Sequence, residues 1–416
     1  MARDGQPIGH TAGPRSAPQA RAAARDLGAS KVREVANSGF GVEGLAKFWF
    51  GEGDQPTPAF IREATADALA RGRTFYTHNR GAAELRDDLR LYLERWHRRV
   101  FHPDSLSITS GGVSALMIAM QAILDPGDHV VAVTPVWPNL VEIPRILGAR
   151  VTRVGLAPQN GRWRLDLDKL LASITADTRL VLLNSPNNPT GWRLPAEDRA
   201  PLLNHCRRLG VWLLTDDVYE RLAFDTDGES QSFLTLADGD DRLISANSFS
   251  KGWRMTGWRL GWLVTPPSLE PEIGKLLEYN TSCPPDFLQA GAQAALGRAE
   301  AYIGDLRTDF AAKRDRLWRA LADLPGVQAT RPDGGMYVLF QIEGESDCVA
   351  LAKRLISEAG LGLAPGAAFG PESAGWLRWC FATDDRAMDE GLARLSTWLS
   401  GRAESLGPFQ QSAPSR

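Results

Sequence analysis

Three features of this sequence predict an α/β fold with a mostly parallel sheet, helices on both of its faces and a smaller α+β domain. Short apolar or β-branched runs alternate with helical patterns from about residue 60 to residue 300, as strands joined by helical crossovers do. After residue 300 the order becomes long helix, strand, helix, strand and closing helix, which suits an α+β unit. The chain has 416 residues, more than one hydrophobic core usually serves.

The elements follow in order. Residues 1–28 are rich in Ala, Pro, Gly and Arg with few large apolar groups, so they bury too little to offset chain entropy and a disordered tail is expected. Residues 29–60 form an N-terminal segment expected to join the small domain. Within it the apolar stretch 45–50 reads as a strand running into the turn residues Gly51-Glu52-Gly53-Asp54 and Pro56-Thr57-Pro58. Residues 61–300 are read as the large domain. There Val113, Leu116, Met117, Met120 and Leu124 recur at helical spacing just after Ser110-Gly111-Gly112, and strands are predicted at 129–133, 179–183, 211–215, 242–246 and 260–264. Residues 301–400 are read as the small domain: a helix from 301 to about 324, a strand at 336–341, a helix near 347–359, a strand near 376–381 and a helix near 386–400. Residues 401–416 are read as a flexible tail. No internal repeat is present.

The formal net charge is −3, which gives no electrostatic reason to expect nucleic acid or an anionic membrane as partner. Cys206, Cys283, Cys348 and Cys380 are far apart with no C-x-x-C spacing, so a disulfide framework or zinc site is not expected and a reducing cytoplasm fits. No apolar run approaches the ~20 residues that span a bilayer, and the first residues lack the charged-then-apolar order of a signal peptide.

Ser248-Phe249-Ser250-Lys251 follows a predicted strand and precedes Gly252-Trp253-Arg254-Met255-Thr256-Gly257-Trp258-Arg259-Leu260-Gly261. In sheets of this class ligands bind beyond the carboxyl ends of the strands, where Lys251 stands. A lysine with a depressed pKa forms Schiff bases with carbonyl cofactors. Arg259, eight residues on, carries a planar fork suited to a phosphate. A lone lysine is usually a solvated one, and it is the surrounding string that gives Lys251 weight.

That string resembles the class-one aminotransferases, the fold-type-one pyridoxal 5'-phosphate (PLP) enzymes that include aspartate aminotransferase. The resemblance runs from about Ser30 to Leu399 with the motifs in the family's order. It implies the PLP-dependent transferase fold and PLP as cofactor, carried by Lys251 as an aldimine. It also implies that Ser248 and Arg259 are phosphate ligands.

Other motifs gain meaning beside it. Ser110-Gly111-Gly112-Val113 opens a helix, whose unpaired N–H groups and positive dipole end attract anions, although such a turn by itself is most often a cap. The resemblance makes Gly112 and Val113 phosphate-binding amides. Trp137, in Pro135-Val136-Trp137-Pro138, reads equally as packing; the resemblance stacks it on the cofactor ring, a use suited to a flat π face. Asn184-Ser185-Pro186-Asn187-Asn188-Pro189-Thr190-Gly191 is on its own an Asx/Pro/Gly turn. Its Asn-Pro-Thr-Gly part is a family signature in which Asn188 bonds the cofactor's phenolic oxygen.

PLP withdraws electrons only while its ring nitrogen is protonated, which needs a buried carboxylate. In Thr215-Asp216-Asp217-Val218-Tyr219 the family's Asp-x-x-Tyr pattern makes Asp216 that carboxylate and Tyr219 a second partner of the phenolic oxygen, with Asp217 directed elsewhere. An isolated Asp-Asp pair also reads as a solvated loop or a metal ligand pair, but no third carboxylate or histidine is spaced to complete a metal site.

Arg378, in Trp376-Leu377-Arg378-Trp379-Cys380, lies in an apolar strand where an unpaired charge is costly. It therefore needs a carboxylate, from the protein or from a substrate. The resemblance makes it the binder of the substrate α-carboxylate and puts Gly51 and Asn188 against bound substrate. It makes Tyr76, otherwise readable as a half-buried tyrosine, a contact to the cofactor phosphate of the neighbouring subunit, and so implies a homodimer with shared active sites. Six positions before Pro284-Pro285, where dicarboxylate-specific relatives carry arginine, stands Glu278. This departure puts aspartate and glutamate in doubt as preferred donors, although a solvated helix position explains it as well.

The expectation is a cytoplasmic PLP-dependent aminotransferase that moves an amino group from an L-amino acid to a 2-oxo acid by a ping-pong mechanism. Lys251, Asp216 and Tyr219 are its catalytic groups. A lyase, decarboxylase or amino-acid oxidase would share these motifs, because small changes on one fold choose which bond breaks. A binding or regulatory protein of the same fold is disfavoured by the intact set of catalytic-type residues. The stretch before Ser30 is also too short and unpatterned for a DNA-binding module.

Overall fold

The computed structural model describes residues 20–226 and 229–405. It begins with α1 (Ala22–Arg25), α2 (Lys31–Ser38) and β1 (Ala46–Lys47). The expected tail is corrected at its end, because the alanine run favours helix and Arg21 donates to the Ile146 carbonyl at 2.5 Å. The rest of that tail, residues 1–19, and residues 406–416 lie outside the described residues. Ser30 caps α2 by accepting from the Arg33 amide at 3.2 Å. The strand expected at 45–50 shrinks to the two residues of β1, with Phe48 adding one backbone bond to Gly362.

The chain continues through α3 (Ala59–Ala70), α4 (Ala83–His97), β2 (Leu106–Thr109), α5 (Gly112–Ile123), β3 (His129–Thr134), α6 (Asn139–Ile146) and β4 (Arg150–Gly155). A hairpin of β5 (Ala157–Gln159) and β6 (Arg162–Arg164) leads to α7 (Leu167–Ser173), β7 (Thr178–Asn184), α8 (Ala196–Leu209) and β8 (Trp212–Asp216). Then come β9 (Leu243–Ser248), α9 (Phe249–Gly252), β10 (Gly261–Val264), α10 (Glu270–Thr281) and α11 (Asp286–Gly297). The last part holds α12 (Ala299–Ala322), β11 (Val327–Ala329), β12 (Tyr337–Ile342), α13 (Cys348–Ala359), β13 (Leu361–Gly362), β14 (Ala364–Pro365), β15 (Leu377–Cys380) and α14 (Asp385–Ser405). Since α14 runs to Ser405, residues 401–405 of the expected flexible tail are helical.

Seven strands form one sheet in the order β2-β10-β9-β8-β7-β3-β4. All run parallel except β10, which is antiparallel to both neighbours. Helices cover both faces, so the strands are continuous apolar runs. Val131 and Val133 join the core on one face while Val130 and Ala132 join the core on the other, as a period of two requires. The edge strand β4 escaped the sequence reading because Arg150, Thr152 and Arg153 are exposed there; β2 and the β5–β6 hairpin were also not foreseen.

A second, antiparallel sheet has the order β11-β12-β15-β14. Its core takes in Val35, Ala36, Phe48 and Trp49 from the N-terminal segment, and β1 pairs with β13. Helix α12 spans both regions: Ala299 and Ile303 pack with the large sheet, Leu306, Phe310, Leu317 and Leu321 with the small one.

This topology locates the site. Strands β2, β3, β7, β8 and β9 all point the same way, and antiparallel β10 starts where they end. The segments around Gly112, Trp137, Asn188, Asp216, Lys251 and Arg259 are therefore delivered to one edge.

Candidate active site

Every residue assigned to the cofactor or the substrate α-carboxylate site from the sequence, except Tyr76, lines one cavity of about 640 Å³ at that edge. At one end lies a cradle for an anion. Gly111 adopts φ +96°, and a Cβ there would collide with the Arg259 guanidinium; only glycine lets the two approach. Helix α5 opens at Gly112 beside Ser248, so its first amides and the arginine converge. One nitrogen of Arg259 is held by the Thr256 carbonyl at 2.8 Å. The Ser248 hydroxyl donates to the Leu260 carbonyl at 3.0 Å and accepts from the Ser250 amide at 3.1 Å. Val113, the first residue of the helical apolar recurrence, faces the cavity, while Leu116, Ala119, Met120 and Ile123 are buried in the helix's packed face.

Asp216 ends β8 and is 6% exposed. Burial pushes its carboxyl up to about 7, with the Asp217 charge adding and the Val218 amide and Lys251 opposing. Asp217 turns away from the cavity and accepts from the hydroxyls of Ser245 at 2.7 Å, Ser232 at 2.9 Å and Thr215 at 3.1 Å. Two adjacent carboxylates thus have separate tasks: one faces the cavity and the other ties strand ends together. Asn184, which the sequence did not single out, donates to the Asp216 carbonyl at 2.8 Å and accepts from the Asn188 amide at 2.7 Å.

Lys251 lies at the end of α9 and donates to the Gly51 carbonyl. Burial draws its amine down to about 8, because desolvation disfavours the ammonium. A second cavity, of about 420 Å³, shares Ser250, Lys251 and Thr256 with the first and is otherwise walled by residues such as Glu52, Arg254 and Trp258. The lysine stands between the two.

Arg378 is 3% exposed. It donates to Asn188 Oδ1 at 2.8 Å and to the Trp49 carbonyl at 2.5 Å. Its guanidinium carbon sits 4.3 Å from the ring centre of Tyr337 and 4.7 Å from that of Phe369. Among the described residues no carboxylate pairs with it. Tyr219 places its hydroxyl 2.7 Å from that of Tyr337.

Tyr337 and Phe369 escaped the sequence reading. The only local signal was the Gly334-Gly335 turn that launches β12. Tyr76 is 89% exposed and lines neither cavity. Glu278 is exposed on α10 and also lines neither.

The sequence matches the family described as aminotransferase class I and II over residues 47–395. It is 33% identical over 347 residues to an arginine–pyruvate transaminase of Pseudomonas aeruginosa, covering 83% of this chain and 88% of that one. It is 30% identical over 374 residues to a probable aspartate aminotransferase of Methanocaldococcus jannaschii, covering 88% and 96%. In three dimensions it is similar to the crystal structure of the aspartate aminotransferase from Rhizobium meliloti, with a TM-score of 0.85 and 29% identity over 92% of this chain and 99% of that one.

Proposed function

The chain belongs to the class I and II aminotransferases, a family of PLP-dependent enzymes, and from that premise we propose how its own residues move an amino group from an L-amino acid to a 2-oxo acid. When bound, PLP supplies an electron sink for the charge that develops at the substrate Cα. The donor set fits such a group. The α5 amides of Gly112 and Val113, with Ser248 and Arg259, suit its phosphate, and Asp216 suits its ring nitrogen. Asn188 and Tyr219 suit its phenolic oxygen, and Trp137 offers a flat face.

Lys251 would hold the cofactor through its amine and, once the substrate's amine has displaced it, the freed amine would take the proton from the substrate Cα as general base. Its pKa, lowered to about 8, gives the amine a far larger neutral, reactive fraction near neutral pH than an ordinary lysine has. Asp216 ionises beside a protonated ring nitrogen and keeps that proton in place. Arg378 orients donor and acceptor alike, since both carry an α-carboxylate, so one site serves both half-reactions.

The observation that carries this reading is Arg378, a buried cation held by carbonyl and amide oxygens with no carboxylate partner among the described residues. A carboxylate ligand completes it. Arg378→Ala should raise KM for every α-amino and 2-oxo acid by about 10²-fold, the scale of a truncated buried charge pair, and should affect amines without that carboxylate far less. Equal losses for both classes would make Arg378 structural. With donor alone, the aminated cofactor should accumulate and then be consumed by a 2-oxo acid; return of the original cofactor would mean a lyase.

The active enzyme is proposed to be a homodimer with shared sites. Phe75, Tyr76 and Tyr279 are 82%, 89% and 89% exposed, an unusual outlay of aromatic surface. The loop bearing the first two is tied to α10 by Asn79 donating to the Gly274 carbonyl at 3.0 Å. A second copy covering this face would bring Tyr76 to its neighbour's phosphate site. A reducing cytoplasm suits the four cysteines, which are free, and among the described residues no helix is long and apolar enough to cross a membrane. For the donor, Glu278 can reach substrate only across such an interface, where it would favour basic or neutral side chains over aspartate. The relative named for arginine and pyruvate agrees in direction.

A further inference from the structure

Tyr337 opens β12, and no motif points to it, yet it touches three groups of the site at once. Its hydroxyl meets that of Tyr219 at 2.7 Å. The Arg378 guanidinium lies over its ring at 4.3 Å. A Cβ on Gly51 would collide with its hydroxyl, so the N-terminal segment closes over the pair only because residue 51 is glycine. The side chain is fully buried. Tyr219 follows β8 of the large sheet, whereas Tyr337 and Arg378 lie on paired strands of the small one. The contact therefore joins the two halves of the site.

Two phenols in contact share one hydrogen bond, and the more acidic one donates. A cation over an aromatic face draws on its electron density, which favours Tyr337 as donor. Burial raises both phenols, and the Arg378 charge, which lies over the Tyr337 ring, opposes that rise. With Tyr337 donating, the hydrogen of Tyr219 is free to turn into the cavity.

Resting on the role assigned to Tyr219 above, we propose that Tyr337 is a positioning residue. It donates to Tyr219, fixes the direction of that proton toward the cofactor's phenolic oxygen, and couples this oxygen to the carboxylate site at Arg378. A substrate carboxylate on Arg378 neutralises the cation over the Tyr337 ring and weakens the donation, so occupancy of one half of the site is felt in the other.

Tyr337→Phe removes the hydroxyl and keeps the ring beneath Arg378. In the holoenzyme, the pH midpoint of the bound cofactor's absorbance should move upward by about half a pH unit or more, as loss of a hydrogen bond to the charged form does. At the same time kcat should fall about 3- to 10-fold, with KM for carboxylated substrates within about twofold. Tyr337→Leu, which also removes the ring, should raise KM as well. Tyr219→Phe should shift the midpoint further, and the double variant Tyr219→Phe/Tyr337→Phe no further than Tyr219→Phe alone, since the two act in series. An unmoved midpoint in Tyr337→Phe, or additive shifts in the double variant, overturns the coupling while the role of Tyr219 stands. An unmoved midpoint in Tyr219→Phe overturns the role of Tyr219 and this proposal with it.

Discussion

The two walls of the cavity are made in different ways. The wall holding Gly112, Trp137, Asp216 and Lys251 is a row of strand ends, and each residue stands within a few positions of the last paired residue of its strand. The opposite wall has no such row. Trp49, Tyr337, Phe369 and Arg378 come from separate segments and are held to one another by a carbonyl, two ring faces and the amide of Asn188. Backbone topology fixes the first wall; side-chain contacts assemble the second. Damage to the first should impair chemistry with binding intact, and damage to the second should impair binding before chemistry, except at the Tyr337 hydroxyl, which acts on the first wall through Tyr219.

The largest effect tests the first wall. Lys251→Ala should lose about 10⁴-fold in turnover, since one amine serves as both cofactor anchor and base, and borohydride should no longer fix label at this peptide. Label recovered on Lys47, Lys275 or Lys353 in the parent enzyme would break the assignment. Next comes Asp216→Ala, expected to keep PLP bound but lose about 10²-fold or more in kcat, the scale of a buried electrostatic group. Turnover within a few-fold of the parent would mean that Asp216 is not the ring's partner.

The same carboxyl predicts a pH effect on the cofactor-free protein. Its folded pKa, about 7, lies above its unfolded value. The stability it contributes is therefore full below the unfolded pKa and is lost as pH rises through about 7. The melting temperature should fall between about pH 4 and 7, and Asp216→Asn should flatten that fall. It should do so only in part, because burial also raises Asp217 and Glu220. An unchanged slope in Asp216→Asn would show that this carboxyl titrates as it does in solution.

The smallest effect concerns Glu278, which belongs to neither wall of its own chain. Arginine, lysine or neutral donors should outperform aspartate in the half-reaction. Glu278→Arg should narrow the gap by a few-fold, roughly the ~1 kcal/mol of an incompletely desolvated charge. A parallel change for all donors would return Glu278 to the role of a solvated helix residue.

The contrast between the walls also explains what could be read from the sequence. Where a strand ends in a turn, motif and position are one signal, so Asn188, Asp216 and Lys251 could be named and placed together. Arg378 was visible because a charge inside an apolar strand is costly. Tyr337 was not, because a tyrosine in an apolar strand is ordinary and only the approach of Tyr219 and Arg378 gives it a task. Strand β4 was missed because an edge strand with exposed arginines lacks the apolar run of its neighbours, and the stretch 45–50 was overread because apolar residues there enter the small core with little pairing. Tyr76 stays at the surface of its own chain, so the contact expected of it rests on the proposed dimer.

The position of Lys251 between two cavities has a mechanical consequence. A lysine that grips a cofactor, lets it go and retrieves it in every cycle needs somewhere to stand while its partner is occupied. Packed interiors seldom provide such room, and a side chain without it would have to push neighbours aside at each turnover. Here the arm can step back into the smaller chamber beside Glu52 and Thr256 and return, as a door swings into an alcove, with the frame around it at rest.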